Sequence, residues 1–144
     1  MKRIIFLIVM IVASGAAWYA YKEYNRKNKN LAEVKPDITI SAIALLRAFE
    51  KDSGSANKQY LGKILAVNGI IKSIEKEDKD VTVILGDAGN MSSVRCSMDT
   101  TYAVKIASYK EEQQITITGA CTGFNKDELL GSDVILNRCV INSK

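Results

Sequence analysis

Three hydrophobic patterns follow one another along the chain. The first is an unbroken apolar run, Ile4–Val12, which continues through Ala13-Ser-Gly-Ala-Ala17 to Trp18-Tyr-Ala-Tyr21. No polar face runs through it, which argues against an amphipathic surface helix. The second pattern has helical spacing. Ala42, Ile43, Leu45, Leu46 and Phe49 recur on one side of a predicted helix over Ala42–Glu50. Ser41 stands before it as an N-cap, since its hydroxyl can accept from a first-turn backbone N–H. Asp52-Ser-Gly-Ser55 breaks the helix, and Ala56–Tyr60 adds a further helical turn. The third pattern has period two and begins after Leu61-Gly62-Lys63.

Five strands are predicted from it: Ile64–Ile74, Val81–Leu85, Ser92–Met98, Gln114–Phe124 and Asp133–Ile141. Glu75–Asp80, Gly86–Asn90 and Asn125–Ser132 carry turn signals between them. Thr100–Lys110 is an insertion with Tyr102, Val104, Ile106 and Tyr109, read as a short helix or an irregular crossover. Gly69, in mid-strand, reads as a bulge or sharp coil. Five short strands, a coiled first strand and an insertion between the third and fourth describe a five-stranded Greek-key barrel, the OB-fold. The expected fold is mainly β: this barrel with an N-terminal amphipathic helix, preceded by one transmembrane helix. The domain division is 1–24 as membrane anchor or signal segment, 25–36 as polar tether, and 37–144 as the barrel.

Charge sharpens that division. The chain is +4 overall. Met1–Asn30 holds Lys2, Arg3, Lys22, Arg26, Lys27 and Lys29 against Glu23, so the excess resides there and the remainder is nearly neutral, with acids just ahead of bases. The basic residues bracket the apolar run, as they do around a membrane segment. Ser14-x-Ala16 and Gly15-x-Ala17 would suit a signal peptidase. Trp18, Tyr19 and Tyr21 extend the run with residues that favour a membrane–water interface, which favours an uncleaved anchor. No cysteine lies in or just after the run, which excludes bacterial lipoprotein attachment. Bases on both flanks leave orientation undecided by the positive-inside rule. The short basic start favours an extracytoplasmic, periplasmic domain on a single-pass anchor. Asn25–Pro36 is too polar to fold alone and reads as a spacer.

Several spacings in the barrel form a set. Ala56-x-x-x-Tyr60-x-Gly62-Lys63-x-x-x-Val67-x-Gly69, Val94-x-Cys96, Gly119-x-Cys121-x-Gly123 and Leu136-x-x-Cys139-x-Ile141 occur in this order over Asp37–Ile141. In this order the chain resembles the bacterial tRNA-anti-like OB-fold family, as does its anchor followed by an Asn/Lys tether. The resemblance implies the fold and carries over no catalytic residue. One departure is Glu111-Glu112-Gln113-Gln114, where a Lys-Gly-Asp-like turn is usual before the fourth strand.

No histidine occurs, which removes the commonest general base and metal ligand. Cys96, Cys121 and Cys139 form no CxxC pair. Strand alternation places Val94, Cys96 and Met98 on one face, as it does Ile115, Ile117 and Cys121, and Ile135, Cys139 and Ile141, so all three thiols point inward. They read as small buried hydrophobes or as a Cys121–Cys139 disulfide across a hairpin centred near Leu130. The bridge would be worth roughly 3 kcal/mol in the chain-entropy model and needs an oxidising compartment. Three thiolates without a fourth ligand make a poor metal site, and no metal or other cofactor is expected.

OB-folds that bind single strands stack bases on aromatics and track phosphates with Lys/Arg. No aromatic lies in Ile64–Met98, and the acidic Glu75–Asp80 turn flanks that surface. Lys63, Lys72, Arg95 and Arg138 are the cations that a ligand face on the strands could use. The expected function is therefore a membrane-anchored, non-catalytic binding or adaptor module of the cell envelope with a protein, peptide or glycan partner. The alternative is an OB-fold protein that binds single-stranded nucleic acid, tRNA or ssDNA. No nucleophile–base pair supports an enzyme.

Overall fold

The computed structural model describes residues 10, 14–22, 24, 31–78, 80–127 and 131–141. Residues 14–22 form a first helix, α1, whose side chains are exposed. Among the described residues no helix is long and apolar enough to cross a membrane. Of the predicted span Ile4–Tyr21, residues 4–9 and 11–13 lie outside the described residues.

The barrel contains six strands, not five. β1 (Ile38–Ser41) is the addition, a short strand that pairs in parallel with the first half of β2 (Ile64–Glu77). β3 (Asp80–Leu85), β4 (Ser93–Met98), β5 (Gln114–Asp127) and β6 (Gly131–Ile141) complete it. The order is β1-β2-β3-β4-β6-β5, and β2 also pairs with β5, which closes the barrel. β3 leaves β2 beyond the Ile71–Leu85 pair, and β1 takes up the same side of β2 from Asn68 backwards. Four residues, Ile-Thr-Ile-Ser, are too few to separate by pattern from the helix after them. The β5–β6 hairpin is also tighter than the predicted turn Asn125–Ser132. Its strands pair as far as Asp127 and Gly131, because outward positions tolerate polar side chains.

Two helices close one end of the barrel. In α2 (Ala42–Lys51), Ala42, Leu45, Leu46 and Phe49 are buried, and the Ser41 hydroxyl accepts from the Ala44 N–H at 3.2 Å. Asp52 does not simply break this helix. Its carboxylate accepts from the Ser55 N–H at 3.0 Å and hydroxyl at 2.6 Å, and so caps α3 (Ser53–Tyr60). Phe49 stacks on Phe124 of β5 at 4.9 Å between centroids and meets Tyr60 at 5.9 Å. At the other end, Asp99 caps α4 (Thr100–Ala103), and the 3₁₀ turn Lys105–Ser108 inserts the fully buried Ile106.

Outside the wall, the 3₁₀ turn Leu31–Glu33 packs on β5 and β6 with Leu31 buried. Thr118 and Val140, paired across β5 and β6, are buried although neither belongs to the main core. The tether therefore ends against the barrel rather than leaving it at β1.

Candidate functional site

The outer surface of β3 and β4 is built by alternation. Val83, Leu85, Val94 and Cys96 face the core, so Thr82, Ile84, Arg95 and Ser97 face out. Arg95 does not stand free on this face. Its guanidinium donates to Glu75 of β2 at 2.6 Å. Both groups are more than a third exposed, so the pair adds little stability but does cancel charge. Ser93 at the start of β4 donates to Asp133 of β6 at 2.5 Å. Ile84 and Ser93 are buried, so the face offers the half-buried hydroxyls of Thr82 and Ser97, is neutral at its one cation and carries no aromatic on its strands.

The other three candidate cations do not converge on it. Lys72 sits at a register shift between Ile71 and Ser73, and its ammonium donates to the Asn90 carbonyl at 2.6 Å. Lys63 precedes β2, where its carbonyl accepts from the Cys121 N–H at 2.9 Å. Arg138 lies in a β6 irregularity with φ 54°, exposed and away from β3. The four cations thus occupy separate places, on β2, on β4, on β6 and at the residue before β2.

The cysteines are free and buried. Cys121 lies opposite Leu136, not Cys139. The hairpin is centred one residue earlier than Leu130, which sets Cys139 against Gly119, and a register shift between Cys121 and Gly123 moves Cys121 one place further, to Leu136. A second irregularity follows at Arg138. That irregularity reverses the phase of β6: Val134 and Leu136 point in before it, Cys139 and Ile141 after it, and Ile135 points out rather than in. Cys139 sits over Gly119, where a Cβ would lie 2.5 Å from its sulfur. A disulfide needs a specific Cβ approach, and this register does not supply one for Cys121 and Cys139. Desolvation raises the Cys139 thiol well above its ordinary value, and the neighbouring Cys96 thiol adds to the rise. Cys121 is raised by desolvation as well. Such thiols stay protonated and unreactive. Among the described residues no three potential ligands cluster around a metal position.

One concave feature is not legible in the sequence. Where β3 and β1 part on the same edge of β2, a cleft of about 360 Å³ opens. Ile43 and Ile70 stand at it, 47% and 50% exposed. Helical spacing places Ile43 on the buried face of its helix; the structure places it at this opening instead. Gly69 forms part of the lining and pairs regularly with Ile115, so it is not a bulge. A Cβ there would lie 2.9 Å from the Ala42 Cβ and 3.2 Å from that of Leu85. Glycine is what lets helix, strand and loop approach. On the polar side, the Gln114 amide donates to Asn68 at 2.8 Å, and Asn68 donates to Thr116 at 2.9 Å. Asp87 accepts from the Gly89 N–H at 3.3 Å. The mid-strand glycine is the only signal of this site in the sequence.

The barrel has relatives of known structure and a family of its own. The tRNA_anti-like family model matches residues 1–140, and the chain belongs to that family. It is an OB-fold domain, similar to a lipoprotein of Klebsiella pneumoniae subsp. pneumoniae to which nucleic-acid binding has been ascribed. The two are 17% identical, with a TM-score of 0.58 over 72% of this chain and 91% of that one. Asparaginyl-tRNA synthetase of Pyrococcus horikoshii is 14% identical over 59% of this chain, with a TM-score of 0.41. An aspartyl-tRNA synthetase of Leishmania major Friedlin is 8% identical over 89%, with a TM-score of 0.49. The matched regions are 21% and 26% of those two enzymes. No curated protein matches the sequence.

Proposed function

We propose that this protein is a membrane-anchored, non-catalytic OB-fold binding module of the cell envelope, whose partner is a protein, peptide or glycan rather than a nucleic acid. The observation that carries the choice of partner is the Arg95–Glu75 pair. It neutralises the cation on the surface where OB-folds bind single strands, and no aromatic stands beside it for a base to stack on. Half-buried hydroxyls at Thr82 and Ser97 suit a neutral, hydrogen-bonding partner better than a polyanion. Support for the anchor comes from the N-terminus. Among the described residues, Trp18, Tyr19, Tyr21 and Tyr24 are the exposed aromatics, and the Lys22 ammonium lies 5.5 Å from the Trp18 ring. That grouping matches the aromatic and basic residues of a membrane interface.

The competing reading is single-stranded nucleic acid. It draws on the family and on the activity ascribed to the Klebsiella lipoprotein. Labelled single-stranded oligonucleotides titrated into the Leu31–Lys144 segment separate the two. We expect no saturable change in anisotropy at physiological salt. Micromolar binding that weakens steeply as salt rises, the mark of counterion release, would make nucleic acid the partner.

A further inference from the structure

The cleft beside Gly69 lies apart from the β3–β4 surface and is independent of what that surface binds. Its origin is topological. β2 is flanked by β3 over its second half and by β1 over its first. Between the last pair of one ladder and the last pair of the other, the chain turns away on both sides, into α2 from Ser41 and into a loop from Gly86. The crevice that remains is bounded by apolar side chains and a small set of polar groups, the usual make-up of a ligand pocket.

Its chemistry selects among ligands. Ile43 and Ile70 offer half-exposed apolar surface on either side of a glycine floor. Asp87 is the one charged residue among those lining the cleft. One of its carboxylate oxygens accepts from Gly89, and the other has no partner among the described residues. Gln114 uses its amide nitrogen on Asn68, which leaves its carbonyl oxygen as a second open acceptor. The Ser41 hydroxyl already accepts from Ala44. The Lys72 ammonium reaches the same loop but donates to the Asn90 carbonyl at 2.6 Å rather than to the Asp87 carboxylate. The cleft therefore combines an apolar body with open acceptors and one carboxylate that has no ion-pair partner among the described residues. An ammonium brings three donors and a positive charge; a carboxylate brings only acceptors and meets Asp87 with like charge.

We propose that this cleft binds a small primary ammonium carried on a short apolar chain, with the apolar part between Ile43 and Ile70 and the nitrogen on Asp87 and Gln114. The test uses the full-length ¹⁵N-labelled chain in a neutral detergent, with hexylammonium and hexanoate as paired probes. Both partition into micelles, so the readout is the set of amide signals of Gly69, Ile70 and Gly86. Hexylammonium should shift these signals saturably, at roughly millimolar concentration, and hexanoate should be about tenfold weaker or worse. Asp87→Asn should weaken hexylammonium several-fold and erase the preference, while signals elsewhere keep their positions. Ile70→Ala should weaken both probes and keep the preference. Equal binding of the two ions, no saturable shift at these residues, or full preference retained in Asp87→Asn would each overturn the proposal.

Discussion

Glu112 holds a backbone conformation that an L side chain adopts at a cost. Its φ is 68°, and its N–H donates to the Ile71 carbonyl at 2.8 Å while the Ile71 N–H donates to Gln113 at 2.9 Å. This is the turn in which the family's usual glycine is missing, and the structure keeps the turn without it. Glycine pays no steric penalty there, whereas a residue with a Cβ costs about 1–2 kcal/mol. Part of that relief is offset because glycine gives the unfolded chain more conformational freedom to lose on folding. Glu112→Gly should therefore stabilise the protein by about 0.5–1 kcal/mol, read as a rise of a few degrees in melting temperature. A second effect at this scale concerns Cys139. Its folded pKa is raised, so the unfolded chain gives up that proton first, near the ordinary value of 9.0. The resulting stability is complete below that pH and is lost as pH rises toward the folded value. Urea midpoints should fall above pH 9, and a Cys139→Ala chain should fall less over the same interval.

Among the elements, the strands that form the wall were legible because their alternation is strong. Val94, Cys96 and Met98 alternate without interruption, and all three are buried. The helix α2 was legible for the same reason, with its Ser41 cap. What could not be read was where the alternation changes phase. β6 reverses at Arg138, a conformation available to any residue at some cost, and no glycine or proline marks it. The hairpin centre, one residue earlier than the sequence places it, sets Cys139 over Gly119 instead of opposite Cys121, and the expected bridge goes with it. β1 is hidden by its length, and with it the cleft, since the cleft exists only because β1 and β3 share one edge of β2. Of the candidate site, four cations were legible, but the contact that defines the outer face, Arg95 with Glu75, joins residues twenty apart and is not a sequence pattern. Gly69 tests how tightly these elements meet. In Gly69→Ala the new methyl would press on Ala42 and Leu85, and overpacking of this kind costs about 1–3 kcal/mol. Chemical denaturation should show that loss, and the double change Gly69→Ala with Ala42→Gly should recover part of it, because the tightest contact is with the Ala42 Cβ.

At the scale of the whole molecule, two regions of opposite character share one chain. The first thirty residues hold the positive charge and the exposed aromatics; the barrel after them is close to neutral. On the reading proposed above, a membrane surface would attract the first through basic and interfacial side chains, and the second has no comparable pull toward it. Leu31 joins them. Its burial against β5 and β6 fixes the point at which the chain meets the wall, and the proposed spacer is then the stretch before Leu31. On the anchored reading, bases on both flanks of Ile4–Tyr21 balance the electrostatic vote on orientation, and the decision falls to the short basic start, which favours export of the barrel. A reporter enzyme that is active only outside the cytoplasm, fused after Lys144, should therefore be active, and a reporter active only inside should be silent. The fused protein should sediment with membranes and should resist extraction by high salt, because an apolar span, unlike a basic patch, is not released by screening. Activity of the inside reporter alone would place the barrel in the cytoplasm, and release by salt would reduce the anchor to electrostatic attachment.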